Sequence, residues 1–330
     1  MYAVNALAHL EGSQTAITSV RPTLNLVQID PIQQAYRHSL PSEPDAGSPL
    51  SRAIQYVLSH PGSLHRARLA NRIAADYGAD HASAVALSTA LEYFHTASLI
   101  FDDLPCMDDA GIRRGAICIH LQFGQHEAIL VALALINRAY ALAWQAVRTL
   151  SAITSANGLE YLEARLGVSG LLAGQSADLN YASLPHNAEV AVMVAMGKTV
   201  SLIRLSLVWP ALLFGAAARE ITLLERLALC WGLAYQAADD LKDLLQDASL
   251  TGKTPARDTL LDRPNLAVSL GVPATVERLQ RLIRLGDVNL RQLLQRRPTL
   301  RFLEDFRLSL NEEVAVLTLL SPVTAHGGRA

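Results

Sequence analysis

Cysteine is scarce in this chain. Cys106, Cys118 and Cys230 stand at irregular intervals and are too few for a disulfide framework, which points to a reducing compartment. Aromatic residues are scarce as well, at 5%. Neither sign of charge dominates: the net charge is −2 and no basic block stands out, so nucleic acid is not an expected partner. No run alternates apolar and polar residues as a half-buried strand would, and no repeat of fixed period is evident. The opening residues, MYAVNALAHLEG, lack the basic region and long apolar stretch of a secretory signal. The most membrane-like run, Val200 to Ala218, is interrupted by Arg204 and Pro210, so no membrane span is expected. These absences lead to the expectation of a soluble, cytoplasmic protein.

Ala and Leu are what the chain has in quantity. Half of it is hydrophobic (51%) against 18% charged, enough apolar surface for a large core. Ala and straight-chain residues lose little on entering a helix. Helical segments are expected at 51–59, 66–77, 82–102, 127–150, 158–173, 187–214, 220–246, 274–295 and 300–320. The fold class expected is all-α, with long core helices. Residues 1–50 read as an N-terminal arm and linker, because HSLPSEPDAGSP, His38 to Pro49, is rich in Pro, Ser, Gly and acid. Residues 51–321 read as a single helical domain and 322–330 as a flexible tail.

Against this apolar background two acidic clusters stand out. The first holds Asp102, Asp103, Asp108 and Asp109 in the stretch SLIFDDLPCMDDAGIRRG. The second is QAADDLKD, with Gln236, Asp239, Asp240 and Asp243. Asp239 and Asp243 are four apart and stack on one helix face, and Gln236 shares it. Bare, such carboxylates repel; a divalent cation between them reverses the sign. Hard oxygen ligands suit magnesium, which keeps several waters and is completed by phosphate oxygens. In the first cluster Pro105 stops the helix, and the turn around it can return Asp108 toward Asp102. Arg113 and Arg114 follow with guanidinium forks suited to phosphate, and Lys253 and Arg257 follow the second cluster. Surface charge would be scattered. Two clusters, each ending an apolar helix, instead suggest a pocket for a metal-bound diphosphate.

With these motifs in view, the chain resembles the trans-type polyprenyl (isoprenyl) diphosphate synthases over roughly 61–271. DDLPCMDDAGIRRG is similar to the family's first aspartate-rich motif in its DDxxxxD form, and QAADDLKD to the second. TGKTPARD, GKTVSLIRLS, AGQSADL and RRG…IHLQFG match further family elements. The bacterial geranylgeranyl diphosphate synthases of carotenoid pathways look closest. The resemblance implies the isoprenoid synthase fold, a single domain of long antiparallel helices around a deep central cavity, in a homodimer. It implies a magnesium-dependent prenyltransferase, with three ions per site, that joins isopentenyl diphosphate to dimethylallyl, geranyl or farnesyl diphosphate. By the same resemblance Asp102, Asp103, Asp108, Asp239 and Asp243 hold metal. Arg113, Lys198, Thr199, Gln236 and Lys253 hold the allylic diphosphate. Arg114 and His95 hold the isopentenyl diphosphate, with His95 two helical turns before Asp102.

The family's upstream GGKRxRP element is replaced here by PGSLHRARLA, with His65 at the lysine position and Arg66 and Arg68 as the arginines. A terpene synthase on the same fold, or a non-catalytic partner subunit of a synthase, are the alternatives this departure leaves. Ala97 and Ser98, one turn or so before Asp102, are both small, which gives a growing chain room and points to the twenty-carbon product. On this reading Ala97→Phe shortens the product. Leu133, Ile136 and Leu172 are further candidates for the floor of the tunnel.

Overall fold

The computed structural model describes residues 30–41, 45, 47–245 and 263–308. Among them helices dominate, and the strands are one two-residue pair. Near the N-terminus come α1 (Pro31–His38), α2 (Pro49–Ser59), α3 (His65–Asp76) and α4 (His81–Asp102). A small hairpin of β1 (Ile112–Arg113) and β2 (Ala116–Ile117) leads into α5 (Ile119–Phe123), α6 (Gln125–Val147), α7 (Ala152–Leu166) and α8 (Leu171–Leu179). Then follow α9 (Ala188–Ala195), a π-helical turn (Met196–Val200) and α10 (Ser201–Leu213) as one continuous rod, α11 (Ala218–Leu245), α12 (Leu266–Leu270) and α13 (Val272–Arg296).

The centre of the molecule is α4. Asp80 caps it by accepting from the Ser83 amide at 2.9 Å. Most of its positions are buried, polar ones such as Ser88 and Thr89 included. Helices α1, α3, α6 and α10 surround it, while α11 packs with α13 on the far side. The helix stops at Asp102, where the chain folds back and the Asp108 amide bonds to the Asp102 carbonyl at 2.9 Å.

Two sequence expectations need correction. Residues 31–38, expected to belong to an N-terminal arm either poorly ordered or wrapped over the surface, form a helix. Asp30 and Pro31 start α1 properly, the Asp30 carboxylate accepting from the Ile32 amide at 3.0 Å. The helix is then held to α4 by Tyr36, whose hydroxyl lies 3.2 Å from Thr96 Oγ1 and whose carbonyl accepts from the Tyr93 hydroxyl at 2.8 Å. The expected segment 158–173 is two helices, because the chain breaks at Gly167–Gly170 between α7 and α8. The last expected helix beyond residue 308 and the whole of the expected tail lie outside the described residues.

Three helical stretches, α4, α6 and α9 to α10, are long and apolar enough to cross a bilayer by length and composition. In this fold α4 and α10 spend that surface on the core. Arg204 within α10 pairs with Glu225 at 2.8 Å.

Candidate active site

A cavity of about 1620 Å³ opens between the end of α4, the first-motif loop, α8, the π-helical turn and α11. Its mouth is charged. Its depth is lined by Phe94, Ile136, Tyr140, Leu166, Leu171 and Leu202.

Asp102 and Asp108 face the cavity from one wall, and Asp239 and Asp243 from the other. Asp103 does not face it. Buried at the C-cap of α4, its Oδ1 accepts from Arg113 Nη2 and Nε at 2.5 and 2.8 Å. The metal role read for Asp103 is therefore corrected: the carboxylate aims Arg113, which does line the cavity. Asp240, next to Asp239, also borders the cavity but is only 2% exposed. It accepts from Gln236 Nε2 at 2.7 Å and from the Leu266 amide at 2.7 Å, so it ties α11 to α12. Gln236 accepts in turn from the Thr199 hydroxyl at 2.6 Å. Thr199 and Gln236 thus line the cavity already braced against each other.

Lys198 is delivered by a close backbone contact. A Cβ on Gly174 would fall 2.5 Å from the Lys198 amide nitrogen, and one on Gly197 would fall 2.6 Å from the Gly174 Cα. Only glycines let α8 and the π-helical turn approach this closely. The Lys198 ammonium then reaches Asp178 at 2.7 Å and Asp102 at 3.9 Å. Burial opposes its charge, but Asp102, Asp178 and Asp108 outweigh burial and raise its pKa.

Burial pushes the Asp102 carboxyl up to about 6, Lys198 opposing and Asp108 reinforcing the shift. A cation between the walls would relieve that penalty. Among the described residues no three His, Cys, Asp or Glu side chains converge closely enough to hold a metal by themselves. Two pairs of carboxylates on facing walls instead offer partial coordination. That fits magnesium, whose remaining positions go to water and phosphate oxygens.

Near the mouth lies a second cationic group. Gly62, Ser63, Arg66, His95, Arg113 and Arg114 line it. His95 Nε2 lies 3.2 Å from Arg66 Nη1, and burial first, then Arg66, Arg114 and Arg113, depress its pKa well below that of a free histidine. His95 is neutral here. His65 and Arg68 are not on the cavity wall. Residues two apart on a helix point to nearly opposite sides, so with Arg66 inward Arg68 turns outward. There it donates to Asp30 at 2.7 to 2.8 Å and to the Ser63 carbonyl. His65, the first residue of α3, is exposed. Lys253 lies outside the described residues.

The tunnel residues divide similarly. Ser98 lines the cavity. Ala97, read as its neighbour on the wall, is fully buried in the core instead, one residue and therefore about 100° round the helix. Ile136 and Leu172 line the cavity, whereas Leu133 stands on the outside of α6.

The family model described as Polyprenyl synthetase matches residues 48–291. The chain belongs to the polyprenyl synthetase family. It is 35% identical to a geranylgeranyl diphosphate synthase of Pantoea ananas over 70% of this chain and 75% of that one. It is 31% identical to a chloroplastic geranylgeranyl pyrophosphate synthase of Arabidopsis thaliana over 71% of this chain and 68% of that one. A Helicobacter pylori geranyltransferase, solved with magnesium and isoprenyl diphosphate, superimposes with a TM-score of 0.72 at 25% identity, covering 87% of this chain and 93% of that one. This polyprenyl synthetase is a prenyltransferase with the isoprenoid synthase fold.

Sequence reasoning missed two side chains of the synthetase site. Asp178, partner of Lys198, is three residues after Gln175 in the AGQSADL element; that spacing puts both on the cavity side of α8 and was a usable signal. Arg263 follows the second motif at a distance and carries no such signal. It donates to Asp108 at 3.1 Å and to the Met107 and Asp178 carbonyls at 3.0 and 3.1 Å, so it clamps the first-motif loop to α8.

Proposed function

We propose that this prenyltransferase condenses isopentenyl diphosphate head to tail with allylic diphosphates, releases geranylgeranyl diphosphate, and works as a magnesium-dependent cytoplasmic homodimer. One observation carries the reading: two pairs of carboxylates face each other at the mouth of a cavity whose depth is apolar. Asp102 and Asp108 would hold magnesium from one wall and Asp239 and Asp243 from the other, three ions in all by resemblance to the family. Bound there, the metal supplies Lewis acidity toward the departing diphosphate. Lys198, Arg113 and Arg263 place positive charge at the same mouth for the allylic diphosphate. Arg66, Arg114 and neutral His95 offer the second diphosphate its own donors. The apolar walls keep water from the allylic cation. Support for a dimer comes from α6, which exposes Leu130, Leu133 and Trp144.

The test is incubation with magnesium, farnesyl diphosphate and labelled isopentenyl diphosphate. Label in a twenty-carbon diphosphate is the expected outcome. Hydrocarbon or alcohol made from farnesyl diphosphate alone would mark a cyclase, and no product at all would remove both.

A further inference from the structure

Behind the second cationic group lies a carboxylate that is not among the residues lining this cavity. Glu92 stands three residues before His95 on α4 and is 2% exposed. Its Oε1 accepts from Arg114 Nη2 at 3.2 Å. Burial raises its pKa, while Arg114, Arg66 and Arg68 pull it back toward the charged form. A carboxylate this deep persists only because cations surround it.

Arg114 is held in a costly conformation. It and Gly115 are the two central residues of the hairpin between β1 and β2, and both have positive φ, 55° and 76°. A type I′ turn demands this. Glycine accepts it freely, but an arginine there costs roughly 1 kcal/mol. From the opposite side the Gly62 backbone, at φ +68°, closes on the guanidinium: a Cβ at Gly62 would fall 2.6 Å from Arg114 Nε. The Arg114 head is thus wedged between the Gly62 backbone and the Glu92 carboxylate.

We propose that Glu92 is a positioning residue, fixing Arg114 and with it the pocket of Arg114, Arg66 and His95 that receives the diphosphate of the non-ionising substrate. The inference rests on the reading above that this substrate is isopentenyl diphosphate. Two effects oppose each other when Glu92 is removed. Losing a negative charge makes the pocket more attractive to an anion. Losing the anchor frees a strained backbone and a guanidinium whose phosphate pairing depends on direction. Geometry wins, because Glu92 is the carboxylate that sets the direction of the Arg114 guanidinium, and Tyr36 beside it offers only a neutral hydroxyl.

The test is two-substrate kinetics on Glu92→Ala, Glu92→Gln and Gly62→Ala, with Kd for isopentenyl diphosphate alone measured by calorimetry. Glu92→Ala raises KM and Kd for isopentenyl diphosphate about tenfold, while KM for farnesyl diphosphate stays within about twofold. Glu92→Gln keeps an acceptor for Arg114 and restores most of the loss, which a purely structural role would not explain. Gly62→Ala displaces Arg114 from the other side and shifts the same two constants. Isopentenyl constants that stay level or tighten in Glu92→Ala, or KM values for both substrates rising together, overturn the proposal. Where Glu92→Ala does not melt cooperatively, Gly62→Ala decides, and unchanged isopentenyl constants there overturn it equally. Wild type that binds isopentenyl diphosphate without elongating farnesyl diphosphate sinks the functional reading alone; the Kd ratios still judge Glu92.

Discussion

Asp102 is caught between burial and charge. Its carboxyl titrates near 6 in the folded chain against an ordinary 3.8. A raised carboxylate pKa means the folded state binds its proton more tightly than the unfolded one. This group therefore makes the metal-free protein less stable as pH climbs from about 4 to about 6, and the penalty persists above that. Asp102→Asn should raise the metal-free melting temperature at pH 7, by roughly 2 °C or more, and remove that slope, while turnover falls by roughly 10²-fold or more. Calorimetric melts across pH check it, and a lower melting point for the Asn variant at pH 7 would sink it. Residue types and their spacings made Asp102, Asp108, Asp239 and Asp243 legible, while Lys198 was legible only through the family resemblance of GKTVSLIRLS. Spacing did not say which of two neighbours points inward. Asp102 and Asp103, Ser98 and Ala97, Arg66 and Arg68 each read as equivalent pairs. In each, the phase of a helix or its C-cap turn gives one member to the cavity and the other to a partner or the core.

Between elements, the contact of α8 with the π-helical turn decides where Lys198 stands. Gly197→Ala would put a Cβ 2.6 Å from the Gly174 Cα and 2.9 Å from the Gly170 carbonyl oxygen, backbone against backbone, with no side chain to give way. It should cost about 1–3 kcal/mol and lower activity further by moving Lys198 off Asp178. Denaturant melts and turnover measured together check both parts; a variant with wild-type stability would show that the two segments separate without cost. Helix α1 makes the converse case. Its sequence is short, polar and next to a Pro-rich stretch, so composition pointed to an arm. Tyr36, with no exposed surface, has its hydroxyl and carbonyl bonded to α4, a contact no local pattern reveals. Tyr36→Ala should destabilise the fold by about 3 kcal/mol, where a detached arm would leave the melting curve unmoved. The long helices were legible because their apolar content outweighs local ambiguity. The break at Gly167–Gly170 was not, since apolar residues continue on both sides of it.

For the whole molecule, the cavity couples the charged mouth to the length of the product. The wall that a growing chain follows runs down α4 from Ser98 to Phe94, one turn deeper, where the Phe94 and Tyr140 rings meet edge to face at 4.9 Å. Smallness at 97 and 98 suggested room for twenty carbons, yet only position 98 borders that room. A Phe at 97 would enter the packed core, where overfilling costs typically about 1–3 kcal/mol. A Phe at 98 would enter the tunnel, one turn above the aromatic pair. Ser98→Phe should therefore shift the product from geranylgeranyl toward farnesyl diphosphate with little change in melting temperature. Ala97→Phe should lower the melting temperature and leave the product profile of the surviving enzyme alone. Chromatography of products from both variants, beside their melts, separates the two outcomes. A shortened product from Ala97→Phe with an unmoved Ser98→Phe profile would place the floor on the opposite face of α4.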